Sequence, residues 1–451
     1  MVLPTAYEER MKRILGEDYP AYLASFEQIP ERAFHINKVK ISEERFAKIS
    51  PFMQKKAENR EDCFLFSRDG IGKHPFHHAG MIYIQEPAAM FPVEGVEILP
   101  DWKVLDMCAA PGGKSSQVMQ RLGENGHLVS NEIIPSRCKM LTGNFERLGF
   151  RNAAALCASP KDVAARCAGM FDLVVCDAPC SGEGMFRKEE NAIPEWSEKK
   201  VLFCAERQRE VLSSARKCVK PGGYLLYSTC TFSEEENEEN VMWFLREFPE
   251  FGLVPMKENI NKFTAPGTLA AGSSAELVRR FYPHLSAGEG QFAALFRNVN
   301  GSAAKRGNSV VALRKPDKAE SELVRSFLSP LLSDYDADRF RVHKDKLVYC
   351  DPSFAVPSDI AYMTGVTVGT FKKGRIEPHH QFFSAFGAEL QNRIELSADD
   401  ERLKRYLHGE SFAVSGEKGW YAVLTEGCSI GGGKLVDGYL KNNYPRGLQN
   451  I

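Results

Sequence analysis

Two cysteines follow two apolar runs: Cys180 in "CDAPCSGEGMF", which begins at Cys176, and Cys230 in "LLYSTCTFSEEENEEN", which begins at Leu225. A cysteine in such a place is an inert core thiol, half of a disulfide, a metal ligand or a nucleophile. The chain has 12 cysteines in 451 residues but no C-x-x-C pair, which counts against a structural zinc site, and no metal is expected. The N-terminus, "MVLPTAYEERMKRILGEDYP", is charged and has no apolar signal-peptide core, so a reducing cytoplasm is expected, where a disulfide is disfavoured. Most of the cysteines, such as Cys204 and Cys218, read as small buried hydrophobes. Cys180 and Cys230 differ because each stands in a polar, turn-forming stretch beside a carboxylate or hydroxyl, Asp177 and Ser228.

A thiolate, an acid and an enclosed pocket suit one reaction well. Carbon 5 of cytosine is a poor nucleophile until a thiolate adds to carbon 6 and makes an enamine. A methyl group is then transferred, a base removes the carbon-5 proton, and the thiol is expelled. Asp177 in its acid form would hydrogen-bond ring nitrogen 3, which requires a raised carboxyl pKa.

A ligand place is also present. "LDMCAAPGGKSSQ" is a Gly-rich turn from a strand into a helix. It is not a P-loop, because Cys108 occupies the position of that motif's first glycine, and it lacks G-x-G-x-x-G. Ala109, Ala110, Gly112 and Gly113 still let backbone approach a ligand closely. Glu132 ends the next strand, where a carboxylate accepts from ribose hydroxyls, so a nucleoside derivative is expected.

The elements that position these residues run from about Val96 to Arg297. "WKVLDMC", "GHLVSNEI", "NAAALCA", "FDLVVCDAP" and "GGYLLYSTC" read as strands one to five; "KSSQVMQRLG", "PSRCKMLTGNFERLGF" and "SEKKVLFCAERQREVLSSARKC" read as helices between them. The alternation predicts a doubly wound parallel sheet, with strands four and five adjacent and their C-terminal ends on the ligand face. The expected division is an N-terminal α+β extension at 1–95, the α/β domain at 96–300, a polar linker at 301–316 and β-rich modules at 317–385 and 386–451. Net charge is −1, with 43% hydrophobic and 26% charged residues, which excludes a wholly basic nucleic-acid binder and leaves local patches. No apolar run is long enough to span a bilayer.

"CAAPGGK" (Cys108 to Lys114), "DAPCSGEG" (Asp177 to Gly184) and "STCTFSEEENE" (Ser228 to Glu238) together resemble the signatures of the Nop/Sun-type RNA (cytosine-5)-methyltransferases. "HINKVK", "GMIYIQEPAAM" and "RFYPHLSAGEGQFAAL" extend the likeness; "GTFKKGRIEPHH" and "LKNNYPRGL" resemble its bacterial RsmF-type branch, which ends in a PUA-like domain. The resemblance implies a Rossmann-like class I methyltransferase fold and S-adenosyl-L-methionine as cofactor. It implies ribosomal RNA, commonly of the small subunit, as partner. Apart from the resemblance, no membrane partner is expected, and nothing in the sequence suggests an obligate partner chain, so a monomer is expected. By that likeness Cys230 is the nucleophile, Cys180 assists release and Asp177 activates the cytosine. The cofactor residues are Cys108, Ala109, Ala110, Pro111, Gly112, Gly113, Lys114, Glu132, Arg137, Ser159, Asp177 and Pro179. DNA cytosine-5 methyltransferases instead draw the nucleophile from a Pro-Cys motif, which here is Cys180. Three positions depart from the pattern. His35 stands where arginine is common, Ser159 where an acidic residue meets the adenine, and Glu234 where many members have proline.

Basic clusters occur at Arg187-Lys188, Lys199-Lys200, Arg279-Arg280, Lys372-Lys373-Arg375 and from Lys434 through Lys441 to Arg446. A charge run is most often a solvated face. Arg187, Lys188, Lys372, Lys373, Arg375, Lys434, Lys441 and Arg446 are the candidate RNA contacts. The competing function is a non-catalytic RNA-binding ribosome-assembly factor on the same fold. A redox or metal-binding α/β protein is disfavoured by the missing C-x-x-C.

Overall fold

The computed structural model describes residues 2–189, 191–268, 272–299, 313–352 and 356–449. Its centre is a sheet built from β1 (Lys103–Asp106), β2 (His127–Asn131), β3 (Ala153–Leu156), β4 (Phe171–Asp177), β5 (Val219–Thr229), β6 (Val278–Phe281) and β7 (Gln291–Asn298). The order across the sheet is β3-β2-β1-β4-β5-β7-β6. β1 to β5 run parallel, β7 is antiparallel to β5, and β6 is antiparallel to β7. Strand order reverses between β1 and β4, which opens a crevice at their C-terminal ends, the ligand place of open α/β sheets.

Both faces of the parallel strands are buried, so their side chains divide between two cores. Val104, Leu128, Leu173, Val175 and Leu226 point to one side, where the helices Pro87–Glu94, Gly113–Met119 and Pro135–Leu148 pack. Leu105, Val129, Val174, Leu225 and Tyr227 point to the other, under Pro160–Arg166, Glu198–Cys218 and Glu238–Glu247. Each fully buried Leu or Phe contributes about 1.5–3 kcal/mol. Helix ends follow local chemistry. Ser197 caps the N-terminus of Glu198–Cys218 through the Lys200 amide, and Gly149, at φ 74°, closes Pro135–Leu148 in the left-handed conformation that favours glycine. β5 starts at Val219, ahead of the glycines expected to open it, because Val219 pairs with Phe171.

The N-terminal extension forms a four-stranded antiparallel sheet in the order Met53–Lys56, Phe64–Phe66, Arg32–Ile36, Ile82–Gln85. Two further sheets, of four strands between 340 and 378 and of five between 393 and 442, make the C-terminal part. The linker expected at 301–316 lies outside the described residues up to 312. Asp317 and Glu320 then form a capping box that starts the helix Lys318–Leu328.

The C-terminal part is not strung behind the central domain. Ala361–Thr364 leaves its own module and adds an antiparallel strand to the free edge of β3. The N-terminal and C-terminal sheets share one core, in which Phe34, Phe46, Phe64 and Ile82 meet Val423, Ile430 and Leu440. Lys40 ties three units together, donating to the carbonyls of Ala79, Arg147 and Ser429 at 2.7, 3.1 and 3.2 Å. No helix among the described residues is long and apolar enough to cross a membrane.

Candidate active site

Cys180 and Cys230, 50 residues apart, meet in the crevice: their sulfurs are 3.1 Å apart, both thiols are free and each is partly accessible. They come from the loops after β4 and β5, which the parallel register sets side by side, with Asp177 opposite Ser228. Two thiolates at this separation repel, so the pair holds one negative charge at most. The contact with Cys230, followed by burial, pushes the Cys180 thiol up.

Asp177 Oδ2 accepts from Lys114 Nζ at 2.7 Å; its Oδ1 accepts from Ser228 Oγ at 2.7 Å and from Gln291 Nε2 at 3.3 Å. Both oxygens are therefore acceptors, one of them toward an ammonium, which is the setting of a carboxylate. Lys114 belongs as much to Asp177 as to any cofactor.

The turn from β1 carries the remaining candidates. Cys108 to Lys114 leaves the sheet through a cis Ala110–Pro111 bond, and Gly112 has φ 113° before the helix Gly113–Met119. A Cβ on Gly113 would stand 2.8 Å from the amide end of the Gln85 side chain, which would have to move aside. Glu132 is buried; Oε1 accepts from the Ile134 amide at 3.0 Å and Oε2 pairs with Arg137 at 3.2 Å, while Arg137 also holds the Ala110 carbonyl at 2.7 Å. Glu132, Arg137 and the glycine turn are thus one assembly at the ends of β1 and β2. Ile133, next in sequence, keeps 47% of its apolar surface exposed beside it. Pro179 presents its carbonyl to Gln208 Nε2 at 3.1 Å.

Ser159 is a correction. Its Oγ donates to Asp162 Oδ2 at 2.6 Å and accepts from the Asp162 amide at 3.1 Å, so its hydroxyl is spent on capping the helix Pro160–Arg166. Neighbouring Ala158 is pinned by Asn131, whose side chain donates to the carbonyls of Met107 and Ala158 and accepts from the Ala158 amide. His35 stacks on Tyr83 and bonds Ser116 Oγ at 3.0 Å; burial holds its pKa near 3, so a neutral ring stands where an arginine was the pattern.

Three buried carboxylates around the crevice escaped the reading of the sequence. Asp106, at the end of β1, is buried; Ser115 Oγ donates to its Oδ2 at 2.7 Å, and Oδ1 has no hydrogen-bond partner among the described residues. Burial pushes its carboxyl up to about 7. Glu183 lies three residues past Cys180 and accepts from Arg10 Nη1 at 2.7 Å, Trp196 Nε1 at 2.8 Å and the Phe232 amide at 3.1 Å. Glu236 accepts from the Ser181 amide at 2.9 Å, Gln208 Nε2 at 2.7 Å and Ser233 Oγ at 2.9 Å. Both lie in quoted motifs, yet their role is to tie the two cysteine loops together. Gly184 completes the seam: its amide donates to the Cys230 carbonyl at 3.0 Å, and a Cβ there would stand 2.7 Å from Gly290 Cα.

The basic clusters separate. Arg187 is nearly buried, with Nη1 on the Ser25 carbonyl at 2.9 Å and Nε 3.2 Å from Glu289, so it is a structural cation and is withdrawn as an RNA contact. Arg279 and Arg280 are buried as well, Arg280 paired with Glu238. Lys188, Lys372, Lys373, Arg375, Lys441 and Arg446 are exposed and Lys434 is partly so.

The geometry is matched by similarity. Residues 96–297 match the family described as 16S rRNA methyltransferase RsmB/F. Residues 3–87 match the N-terminal domain of 16S rRNA methyltransferase RsmF, and residues 393–449 match the methyltransferase RsmF PUA domain. The chain is 30% identical over 467 residues to ribosomal RNA small subunit methyltransferase F of Vibrio vulnificus strain YJ016, covering 99% of this chain and 97% of that one. It is 28% identical to the protein of the same name from Erwinia tasmaniensis, covering 99% and 96%. Among solved structures, a methyltransferase homolog protein from Pyrococcus horikoshii superposes with a TM-score of 0.57 at 28% identity, over 66% of this chain and 95% of that one. NSun6 from Pyrococcus horikoshii with SFG shares the fold, with a TM-score of 0.55 at 21% identity, over 66% and 99%.

Proposed function

The chain belongs to the RsmB/F family of 16S rRNA methyltransferases, and we propose that it methylates carbon 5 of a cytosine in small-subunit ribosomal RNA through a covalent bond from Cys230 to carbon 6. S-adenosylmethionine is its cofactor. The observation that supports the finer reading most is the thiol pair at 3.1 Å beside Asp177.

The residues fit that cofactor. The Cys108–Gly113 turn gives it backbone, Glu132 stands at the ribose place, Ile133 offers apolar surface to a ring, and buried Asp106 has a free acceptor. When bound, the cofactor supplies an electrophilic methyl group on a sulfonium. The rest is done by this chain's own side chains. In this reading Cys230 attacks carbon 6 as the thiolate, the role its motif has in the family. Asp177 accepts from the exocyclic amine of cytosine, a donor that uracil lacks. Lys114, 2.7 Å from Asp177, offsets the charge that grows on the ring. After methyl transfer a base takes the carbon-5 proton, the electron pair of that C–H bond re-forms the 5,6 double bond as the carbon 6–sulfur bond breaks, and Cys230 returns as thiolate with Cys180 assisting release. The target base must leave its stack to reach this crevice. We read the protein as a cytoplasmic monomer acting on ribosomal RNA or the small subunit.

Two outcomes follow for cofactor binding. Glu132→Ala weakens S-adenosylmethionine by about tenfold or more, because Arg137 and the ribose both lose their acceptor; unchanged affinity in calorimetry contradicts the assignment. Asp106 is protonated below about 7 and charged above it. Affinity for the cationic cofactor therefore rises as pH passes upward through about 7, and Asp106→Asn removes the dependence. A flat profile in the native chain contradicts the role given to Asp106.

A further inference from the structure

Cys180 and Cys230 are placed for a second chemistry that methyl transfer does not use. Their sulfurs stand 3.1 Å apart and both thiols are free. A disulfide bond is about 2.05 Å long, so a further approach of about 1 Å joins them. The two loops are already tied across the seam. The Gly184 amide donates to the Cys230 carbonyl at 3.0 Å, Glu236 accepts from the Ser181 amide at 2.9 Å, and Glu183 accepts from the Phe232 amide at 3.1 Å. With the backbone held at three points, the side chains supply most of that approach. Other neighbouring cysteines differ in access. Cys108 touches Cys176, and Cys138 touches Cys157, but Cys176 and Cys138 are buried. In the crevice pair both thiols are partly accessible, as reaction with a dissolved oxidant requires.

We propose that Cys180 and Cys230 are a redox modification site, which a peroxide closes into a reversible disulfide that takes the nucleophile out of use. That the bridge stops methyl transfer rests on the function proposed above; that the bridge forms does not. The thiolate of the pair attacks the peroxide, breaks the O–O bond, becomes a sulfenic acid and releases hydroxide. The second sulfur then attacks the sulfenic sulfur. The S–S bond forms, the S–O bond breaks, and the departing hydroxide takes the thiol proton as water. Two electrons leave the pair, and the peroxide ends as water and hydroxide. The neighbouring thiol thus intercepts the sulfenic acid before it passes to the irreversible sulfinic acid. A dithiol reopens the bridge by exchange and leaves as its own disulfide.

The test treats the full native chain with graded hydrogen peroxide, blocks the remaining thiols with iodoacetamide in denaturant and maps the peptides by mass spectrometry. The expected product is a peptide cross-linked between Cys180 and Cys230, two hydrogens lighter than its two parts, with Cys138 and Cys176 still free. Methyl transfer to small-subunit ribosomal RNA falls in step with the bridged fraction, and dithiothreitol restores both thiols and activity. Cys180→Ser, read by mass alone, forms no bridge. Its Cys230 gains oxygen that dithiothreitol does not remove, which identifies Cys180 as the resolving thiol. Conversion of native Cys230 to sulfinic acid without a bridge overturns the proposal. So does a pair that stays free while Cys108 and Cys157 are oxidised, and so does native methyl transfer by a fully bridged chain. If the untreated chain methylates no RNA, the proposed function fails by itself, and the peptide map decides the bridge without turnover.

Discussion

Cys230→Ser loses methyl transfer by on the order of 10³-fold or more while binding S-adenosylmethionine as the native chain does. A serine hydroxyl keeps the shape of the loop but offers no thiolate, so carbon 6 is not attacked and carbon 5 stays unreactive. Cofactor affinity is expected to stay untouched because Cys230 leaves β5, whereas the turn proposed to carry the cofactor leaves β1. Incorporation of labelled methyl groups into ribosomal RNA measures the rate, and calorimetry measures the affinity. Turnover within tenfold of native in this variant removes Cys230 from the chemistry.

The second large effect sits at Glu183, whose partners lie far away in sequence. Glu183 is fully buried and receives three donors from three segments: Arg10 of the N-terminal helix Thr5–Leu15, Trp196, and the Phe232 amide two residues past Cys230. Burial raises its pKa, so its charge depends on those donors. Glu183→Ala takes the acceptor from Arg10 Nη1, while Glu235 still holds Nη2 at 3.0 Å, so the loss of stability is at the low end of the range for a broken buried pair, about 3 kcal/mol. The milder Arg10→Gln keeps the helix and loosens the loop. There kcat falls by about 10²-fold with cofactor affinity unchanged, because a displacement of about 1 Å between reacting groups costs that much. Native kcat in a folded Arg10→Gln protein shows that the N-terminal helix does not position the cysteine loops.

Much of the architecture is local and was therefore readable. Alternating burial of Val104 and Leu105, or Leu225 and Leu226, needs only strands with two covered faces, and the glycines at 112 and 113 announce a tight turn. Parallel neighbours then bring residues 180 and 230 to one crevice. What local pattern does not carry is the partner of a charge. Arg187, Arg279 and Arg280 look like surface basic pairs, yet each side chain is drawn inward by an acceptor far along the chain. Lys114 finds Asp177 63 residues away, and Arg10 finds Glu183 173 residues away. Nor does a β-rich segment disclose that Ala361–Thr364 completes another unit's sheet, since an exposed edge such as that of β3 accepts any strand of suitable length.

The assignment of attack to Cys230 and release to Cys180 is tested most directly by trapping. Native chain, Cys230→Ser and Cys180→Ser are incubated with small-subunit ribosomal RNA and S-adenosylmethionine and run on denaturing gels. Cys180→Ser accumulates a covalent protein–RNA adduct, because attack proceeds and release stalls, and Cys230→Ser forms none. An adduct in Cys230→Ser and none in Cys180→Ser reverses the two roles, and methyl transfer with no adduct in either variant contradicts covalent catalysis by this pair.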